Sequence, residues 1–172
     1  MQITNYHLET DLSKIKYFAS IRENENMHFR AFLKSRNDRI VDRIVHQIHE
    51  EMSPLIDCTL CGNCCGHLRP ELHKSDIAIL ARLENITIKE YIENYCEKNE
   101  YGEIFTDKMP CRYLEEKKCR IYENRPIECR SFPNTDKKGF TSRLLGMLSF
   151  YEICPIVFNL MERLKNEMRF RR

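Results

Sequence analysis

The sequence predicts a mainly α-helical fold, with helices flanking a loop-rich centre that carries cysteines. Apolar residues recur at helical spacing near both ends of the chain, and glycine and proline concentrate in the middle. A length of 172 residues, of which 42% are hydrophobic, is enough for one domain with a buried core. We therefore expect a single domain over residues 1–172, with N-terminal helices over 1–54, a cysteine-cluster core over 55–155 and a C-terminal helix over 156–172.

The N-terminal helices are predicted over residues 7–57. Leu12, Ile15 and Phe18 recur at helical spacing, and a longer apolar stripe follows between Phe29 and Ile48. Ser53-Pro54 is expected to end this helical stretch. The face opposite the stripe is expected to be exposed and held by salt bridges among its charged residues, which are Arg36, Asp38, Arg39, Asp42 and Arg43.

The middle of the chain is predicted to hold two short helices and one hairpin. Ser75 or Asp76 is expected to cap a helix over 77–83, and a capping box at Thr87–Glu90 starts another that runs to about Lys98. Cys96 would lie on the apolar face of the second helix, as a small buried hydrophobe. The charged tetrad 115–118 separates two extended pieces and is expected to form the tip of a hairpin.

The C-terminal part, residues 141–169, is again predicted to be helical. Cys154-Pro155 interrupts it, and Pro155 suits the first position of the final helix because that position needs no backbone N–H donor. The basic end, Arg169–Arg172, is expected to be a solvated tail.

Charge and composition narrow the partners and the location. A formal net charge of +2 does not suggest a general nucleic-acid binder, and no apolar run approaches the ~18 residues of a membrane span. The first seven residues lack the basic and apolar regions of a secretory signal. We expect a cytoplasmic protein that binds neither nucleic acid nor membrane, with a protein or redox partner left open. Reduced thiols in the cytosol and an odd total of nine cysteines favour metal ligation over disulfides.

The cysteines carry the chemistry of this chain. Cys58, Cys61 and Cys64 form two overlapping Cys-x-x-Cys turns, and Cys65 follows directly. Such turns bring several sulfurs to one soft or borderline metal ion, while Gly62 and Gly66 allow the backbone to turn tightly. Four further cysteines, at 111, 119, 129 and 154, provide more thiols. The predicted metal ligands are Cys58, Cys61, Cys64, Cys65, Cys111, Cys119, Cys129 and Cys154.

The partition of these ligands is a hypothesis. Adjacent side chains usually diverge, so Cys65 is expected to face a different centre from Cys64. One arrangement is that Cys58, Cys61 and Cys64 share a centre with one distal cysteine while Cys65 joins the rest. His67 and His73 are nearby and are interpreted as surface or supporting residues. Arg125 and Arg130 are expected to hold a carboxylate, to offset thiolate charge or to remain solvated.

Two sequence blocks resemble a known family. The first is Cys58-x-x-Cys61-Gly-x-Cys64-Cys65, and the second runs from Pro110-Cys111 through Cys119 and Arg125 to Cys129-Arg130-x-Phe-Pro133. Together they are similar to the CxxCxxCC cysteine-cluster family (YkgJ-like), described as a zinc- or iron-chelating domain. The resemblance spans about residues 55–155 and implies that the four distal cysteines are ligands. A similar cluster occurs in flagellin lysine N-methylase.

Three functions follow as expectations. The first is a cysteine-ligated metal-binding protein that holds an iron–sulfur cluster or zinc, with an iron-dependent redox or protein-modifying role. Zinc and iron are nearly balanced, and the surplus of thiols beyond one structural zinc favours an iron–sulfur cluster or iron. The second is a purely structural zinc module that mediates protein interaction. The third is an accessory protein or enzyme of protein lysine N-methylation, although no glycine-rich cofactor loop follows a strand. No other catalytic motif is present in the sequence, and the catalytic residues, if any, are unassigned.

Overall fold

The computed structural model describes residues 7–171, and the predicted mainly α-helical class is confirmed there. Nine α-helices and four short strands are found in this range, together with three single 3-10 turns. The helices are α1 Leu12–Ile21, α2 Glu23–Lys34, α3 Asp38–Met52, α4 Cys58–Cys61, α5 Lys74–Leu83, α6 Ile88–Tyr95, α7 Ile127–Ser131, α8 Leu144–Phe150 and α9 Pro155–Glu167. The strands are β1 Cys96–Lys98, β2 Ile104–Thr106, β3 Leu114–Glu115 and β4 Lys118–Cys119.

The chain divides into two compact units. The helical unit comprises the residues up to Ile56 and those from Pro133 onward, and the cysteine unit comprises Asp57–Phe132. The predicted cysteine core of 55–155 therefore overlaps both units. The single-domain organisation over residues 1–172 stays a prediction.

Three helices form the first part of the helical unit, as predicted for residues 7–57. Asp11 caps α1 by accepting hydrogen bonds from the backbone N–H groups of Ser13 and Lys14, and Asn37 caps α3 in the same way. The helix α3 ends at Met52, where Ser53–Leu55 form a 3-10 turn that contains the proline. The apolar stripe faces inward, because Val41, Val45 and Ile48 are all buried.

The rest of the helical unit is built on α8 and α9. Pro155 opens α9 at its first turn, as predicted, and α9 packs against α3. Its buried side chains include Val157, Leu160 and Leu164, so most of this helix is enclosed. The predicted basic tail is described only to Arg171; Arg172 lies outside the described residues.

The predicted salt bridges on the outer face of α3 are wrong. Asp42 accepts hydrogen bonds from the backbone N–H groups of Gly139 (2.8 Å) and Phe140 (2.9 Å), and Asp38 accepts one from the Thr141 hydroxyl (2.6 Å). Among the described residues no ion pair joins these aspartates to the arginines of α3. Asp38 and Asp42 therefore hold the loop over residues 139–141 to α3 instead of neutralising the arginines of this face.

The cysteine unit has a small core of its own. It consists of buried side chains from α5, α6 and the segments beside them: Leu72, Ile77, Leu80, Ala81, Tyr91 and Tyr113. The phenol oxygens of Tyr91 and Tyr113 lie 3.0 Å apart in this core. The capping box at Thr87 and Glu90 is confirmed, while α5 begins earlier than predicted, with His73 as its N-cap.

The placement of Cys96 is a correction. The sequence predicted a helix to about Lys98, but α6 ends at Tyr95 and Cys96 begins β1, paired with Thr106 of β2. The second hairpin is as predicted: β3 and β4 pair antiparallel, and Glu116 and Lys117 at its tip have φ values of 45° and 65°. Within the described range, no helix has both the length and the apolar character that crossing a bilayer would need.

Candidate metal centre

The first cysteine block folds as two consecutive single turns. Cys58 and Cys61 begin and end α4, which Asp57 caps by accepting a hydrogen bond from the Thr59 N–H (2.8 Å). Gly62 then takes a left-handed conformation with φ of +58°, and Cys64 and Cys65 follow in a 3-10 turn. The predicted tight turn at Gly62 is thus confirmed.

Gly62 also lies against the second hairpin. A Cβ atom on Gly62 would come within 2.1 Å of the carbonyl oxygen of Lys117, so only glycine fits between this turn and the hairpin tip. Gly66, for which the sequence predicts the same role, has no positive φ, and a Cβ atom there would have no neighbour within 4 Å. The cysteine loop therefore rests on the hairpin at position 62.

Three distal cysteines are carried by separate elements of the same unit. Cys111 precedes the hairpin and donates its backbone N–H to the carbonyl of Cys65 (2.8 Å), and Cys119 lies on β4 opposite Leu114. Cys129 lies on the short helix α7. These contacts bring segments that are far apart in sequence to the cysteine loop.

Asp76 fixes the position of α7. Its carboxylate is buried, with only 2% exposure, and accepts the backbone N–H of Ile127 at the start of α7 (3.2 Å) as well as that of His73 (3.0 Å). One side chain thus joins the first turn of α5 to the helix that carries Cys129. The sequence predicts Asp76 only as a possible helix cap, and its second role depends on Ile127, which local sequence does not identify.

Electrostatic interactions group four of the thiols. Burial raises the pKa of Cys129 to about 12, with the nearby Cys111, Cys65 and Cys119 adding to the shift. Burial is likewise the main cause of the raised pKa values of Cys111 and Cys119, and Cys65 contributes to both. Each member of this set therefore interacts with at least one other, which defines a four-thiol group: Cys65, Cys111, Cys119 and Cys129.

Of the remaining cysteines of the block, Cys58 is exposed, whereas Cys61 and Cys64 are half-buried like the four-thiol group. The pKa of Cys58 is raised by partial desolvation of its sulfur and then by Cys61, although Cys58 as a whole residue is exposed. A hydrogen bond with the Cys64 side chain is the largest cause of the raised pKa of Cys65. Cys58, Cys61 and Cys64 thus adjoin the four-thiol group through the Cys64–Cys65 contact.

Arg125 interacts with both sets. Its guanidinium lies 3.4 Å from the centroid of the Tyr122 ring, and its Nε donates to the Tyr122 carbonyl (2.8 Å). From this position its charge works against the raised pKa values of Cys58, Cys65, Cys119 and Cys129. Arg130 is exposed and influences none of these thiols.

Two cysteines stand apart from this grouping. Burial raises the pKa of Cys96 to about 11, and its charged neighbours are Asp107, Arg112 and Lys98, with no cysteine among them. Cys154 belongs to the helical unit, where it is the N-cap of α9 with 6% exposure. Its predicted role as a ligand stays a prediction.

The two histidines near the block have other contacts. His67 is exposed, and its Nδ1 lies 2.9 Å from the carbonyl oxygen of Asn63. The Nε2 of His73, at the start of α5, lies 3.9 Å from a carboxylate oxygen of Glu128. Both placements agree with the interpretation of surface or supporting residues.

The donor set suits a soft or borderline metal. All nine cysteines lie in the described residues and none forms a disulfide there, so the thiols of both groups remain available as sulfur donors, the kind that zinc and iron accept. Across residues 7–171, no group of three or more Cys, His, Asp or Glu side chains is arranged so that it could hold a metal ion.

Comparison with known proteins links these residues to metal binding. Residues 57–146, more than half of the chain, match the model of the CxxCxxCC family, described as "Putative zinc- or iron-chelating domain". A protein of Methanocaldococcus jannaschii named "Uncharacterized protein MJ0661" is 36% identical over 80 residues, which are 44% of this chain and 43% of that protein. The chain thus spans less than half the length of this relative. No solved structure matches significantly. The family description supports metal binding, does not separate zinc from iron, and names no reaction.

Proposed function

The chain belongs to the CxxCxxCC family of zinc- or iron-chelating domains, and from this we propose that its cysteine unit binds iron, with zinc as the alternative that the same thiols allow. The observation that carries the proposal is the approach of separate segments of one unit: the Cys111 backbone N–H donates to the Cys65 carbonyl (2.8 Å), and Cys65, Cys111 and Cys119 all contribute to the raised pKa of Cys129. Four thiols meet the needs of one tetrahedral ion. Binding is expected to draw these sulfurs together.

A structural role for this four-thiol group follows from the unit that contains it. The cysteine unit has a small apolar core and connects its parts through short helices and hairpins. A bound ion would add cross-links among Cys65, Cys111 and Cys119 in the part that lacks long helices. The free energy of such binding is also free energy of folding, because the unfolded chain presents no assembled site.

The second set, Cys58, Cys61 and Cys64, is proposed to hold a separate centre. It provides three thiols, and Cys58 is exposed. Metal held by three protein ligands keeps a position open to an exogenous ligand, whereas a four-thiolate ion is closed. The surplus of thiols beyond one structural ion is the reason for proposing iron, which in cysteine-ligated centres supplies redox chemistry that zinc does not.

The test is metal counting in single serine variants purified without oxygen. Iron and zinc are measured by elemental analysis of wild-type protein, Cys65→Ser, Cys129→Ser and Cys61→Ser. The first two variants should lose the same equivalent of metal, and Cys61→Ser should lose a different one. Visible absorption separates an iron–sulfur centre from colourless zinc. Cys154→Ser in the same series tests the remaining sequence-predicted ligand.

Cys96→Ser is the matched control. Cys96 lies in the same unit and is half-buried, but no other cysteine contributes to its raised pKa. Its replacement should leave the metal content unchanged. Wild-type protein without stoichiometric iron or zinc would contradict the proposed function, and equal losses in Cys65→Ser and Cys61→Ser would contradict the two-centre partition.

A further inference from the structure

A cleft on the helical unit has the properties of an anion-binding site. It has a volume of about 620 Å³ and runs along α3, where Arg39, Arg43 and His46 line it, together with Lys138 from the loop that precedes α8. A volume of this size lies within the range of small-molecule sites, roughly 300–1,000 Å³. It is separate from the cysteine unit, and all of its lining residues belong to the helical unit.

The cations of this cleft lack the partners that the sequence predicted for them. Within the described part of the chain, no ion pair involves Arg39, Arg43 or Lys138. Asp42 also lines the cleft, but both of its carboxylate oxygens accept backbone N–H groups, from Gly139 and Phe140. These hydrogen bonds do not remove the charge of Asp42, but the three cations outnumber it, so the net charge at this end of the cleft is positive.

The same hydrogen bonds place Lys138 beside the arginines. Because Asp42 binds the N–H of Gly139, the residue before that glycine is held next to the α3 turn between Arg39 and Arg43. Arg39 and Arg43 are four residues apart and so lie on one face of the helix. Glu50, the other carboxylate of the cleft, lies seven residues beyond Arg43, about 10 Å farther along the helix axis.

His46 gives a second indication. It lines the cleft, and its Nε2 is shielded from solvent with no hydrogen-bond partner among the described residues. A shielded polar atom without a partner is unfavourable. Rotation of the ring toward a bound anion would give this nitrogen an acceptor.

We propose that this cleft binds a small phosphate monoester through Arg39, Arg43 and Lys138. Three cations against the one charge of Asp42 leave an excess of two positive charges, which matches a dianion better than a single carboxylate. Guanidinium groups also pair with phosphate oxygens in a bidentate manner. The volume leaves room for an organic group beyond the phosphate. The site does not depend on metal binding by the cysteines, so its test is independent of the proposed function.

The experiment is a calorimetric titration of the full chain with glucose 6-phosphate at constant ionic strength, with glucose as the uncharged comparison. Saturable binding of the phosphate ester and none of glucose is expected. Arg43→Gln should weaken binding about tenfold, as expected for a lost charge-assisted hydrogen bond. Arg36→Gln is the matched control: Arg36 is an exposed arginine beside α3 that lies over the Phe32 ring, and it does not line the cleft.

Three results would overturn the proposal. The first is the absence of saturable binding of glucose 6-phosphate at concentrations up to ~10 mM, which exceed even a weak dissociation constant of about 1 mM. The second is an equal weakening in Arg43→Gln and Arg36→Gln, which would show a general charge effect. The third is binding to an RNA oligonucleotide that strengthens with its length and that glucose 6-phosphate does not displace, which would identify a nucleic-acid surface. Thermal unfolding of both variants checks that they fold.

Discussion

Gly62 packs against the carbonyl oxygen of Lys117, so that a Cβ atom at position 62 would lie 2.1 Å from that oxygen. We predict that Gly62→Ala lowers both metal content and stability. The substitution adds a side chain at a φ of +58° and forces the cysteine loop away from the hairpin. The left-handed conformation alone costs about 1–2 kcal/mol, and the backbone overlap adds to it. Denaturant unfolding and metal analysis measure the two effects.

Gly66→Ala is the control for this prediction. Gly66 is in the same loop, but a Cβ there would meet nothing within 4 Å, and its φ is not positive. Its replacement should leave metal content unchanged and shift stability by less than about 0.5 kcal/mol. A Gly62→Ala protein with normal metal content would show that the hairpin does not position the cysteine loop.

Local patterns predicted the elements of this fold that depend on local chemistry. The capping box at Thr87 and Glu90, the proline at the start of α9 and the tip of the second hairpin all rest on residues within a few positions of each other. The short-range spacing also indicated which cysteines share a loop. These features are decided by backbone geometry within a single turn, so the sequence is sufficient to identify them.

Other features depend on residues far apart in sequence and could not be predicted in this way. Arg39 and Asp42 have the i,i+3 spacing of a helical ion pair, but the aspartates of α3 accept hydrogen bonds from two backbone N–H groups and a threonine hydroxyl about a hundred positions away instead. Cys96 continues an amphipathic helical pattern, yet pairing with Thr106 makes it the start of a strand. The second role of Asp76 requires Ile127, fifty-one positions away. In each case a tertiary hydrogen bond prevails over local propensity.

We predict that metal binding releases protons at neutral pH. Burial raises the pKa of Cys129 to about 12, and it also raises the pKa values of Cys111 and Cys119, so these thiols are protonated at pH 7 in the absence of metal. Thiolates are the binding form, so loading the four-thiol group should release about four protons per ion, and affinity should rise with pH. Calorimetry with zinc in buffers of different ionisation enthalpy measures this number.

Cys129→Ser should reduce the number of protons released, because serine does not ionise in this range. Cys96→Ser should leave the number unchanged, since Cys96 has no cysteine neighbour. Heats of binding that are the same in all buffers would contradict this prediction, because they would mean that the thiols are already ionised.

The buried ion network of the helical unit supports a prediction about stability. Lys165 is only 3% exposed, and its Nζ lies 2.8 Å from Glu25 and 2.5 Å from Glu162, which also accepts a hydrogen bond from the Tyr151 hydroxyl (2.7 Å). Lys165→Met leaves two partly buried carboxylates with less positive charge beside them. We expect a loss of about 3 kcal/mol, as is typical when one partner of a buried pair is removed. Urea unfolding followed by circular dichroism measures it.

Lys14→Met is the comparison for that substitution. The Lys14 side chain is 61% exposed and its Nζ lies 3.6 Å from Glu9, so its removal should cost less than about 1 kcal/mol. Metal content per folded molecule should be normal in both variants. An unfolding free energy for Lys165→Met within error of that for Lys14→Met would show that the network contributes nothing specific.

Arg125 should determine how far the pH can fall before metal is released. Its charge works against the raised pKa values of Cys58, Cys65, Cys119 and Cys129, so it favours their thiolate forms. In Arg125→Gln the pKa values of the thiols rise further, protons compete better with the metal, and release begins at a higher pH. We expect the midpoint of release to move up by about 0.5–1 pH unit, the size of a nearby-charge effect after solvent screening. A chromogenic chelator that reports freed zinc across a pH series measures the midpoint.

Arg130→Gln is the control, because Arg130 is exposed and affects none of these thiols. Equal midpoints for the two variants would mean that net charge, and not the position of Arg125 over Tyr122, determines the release.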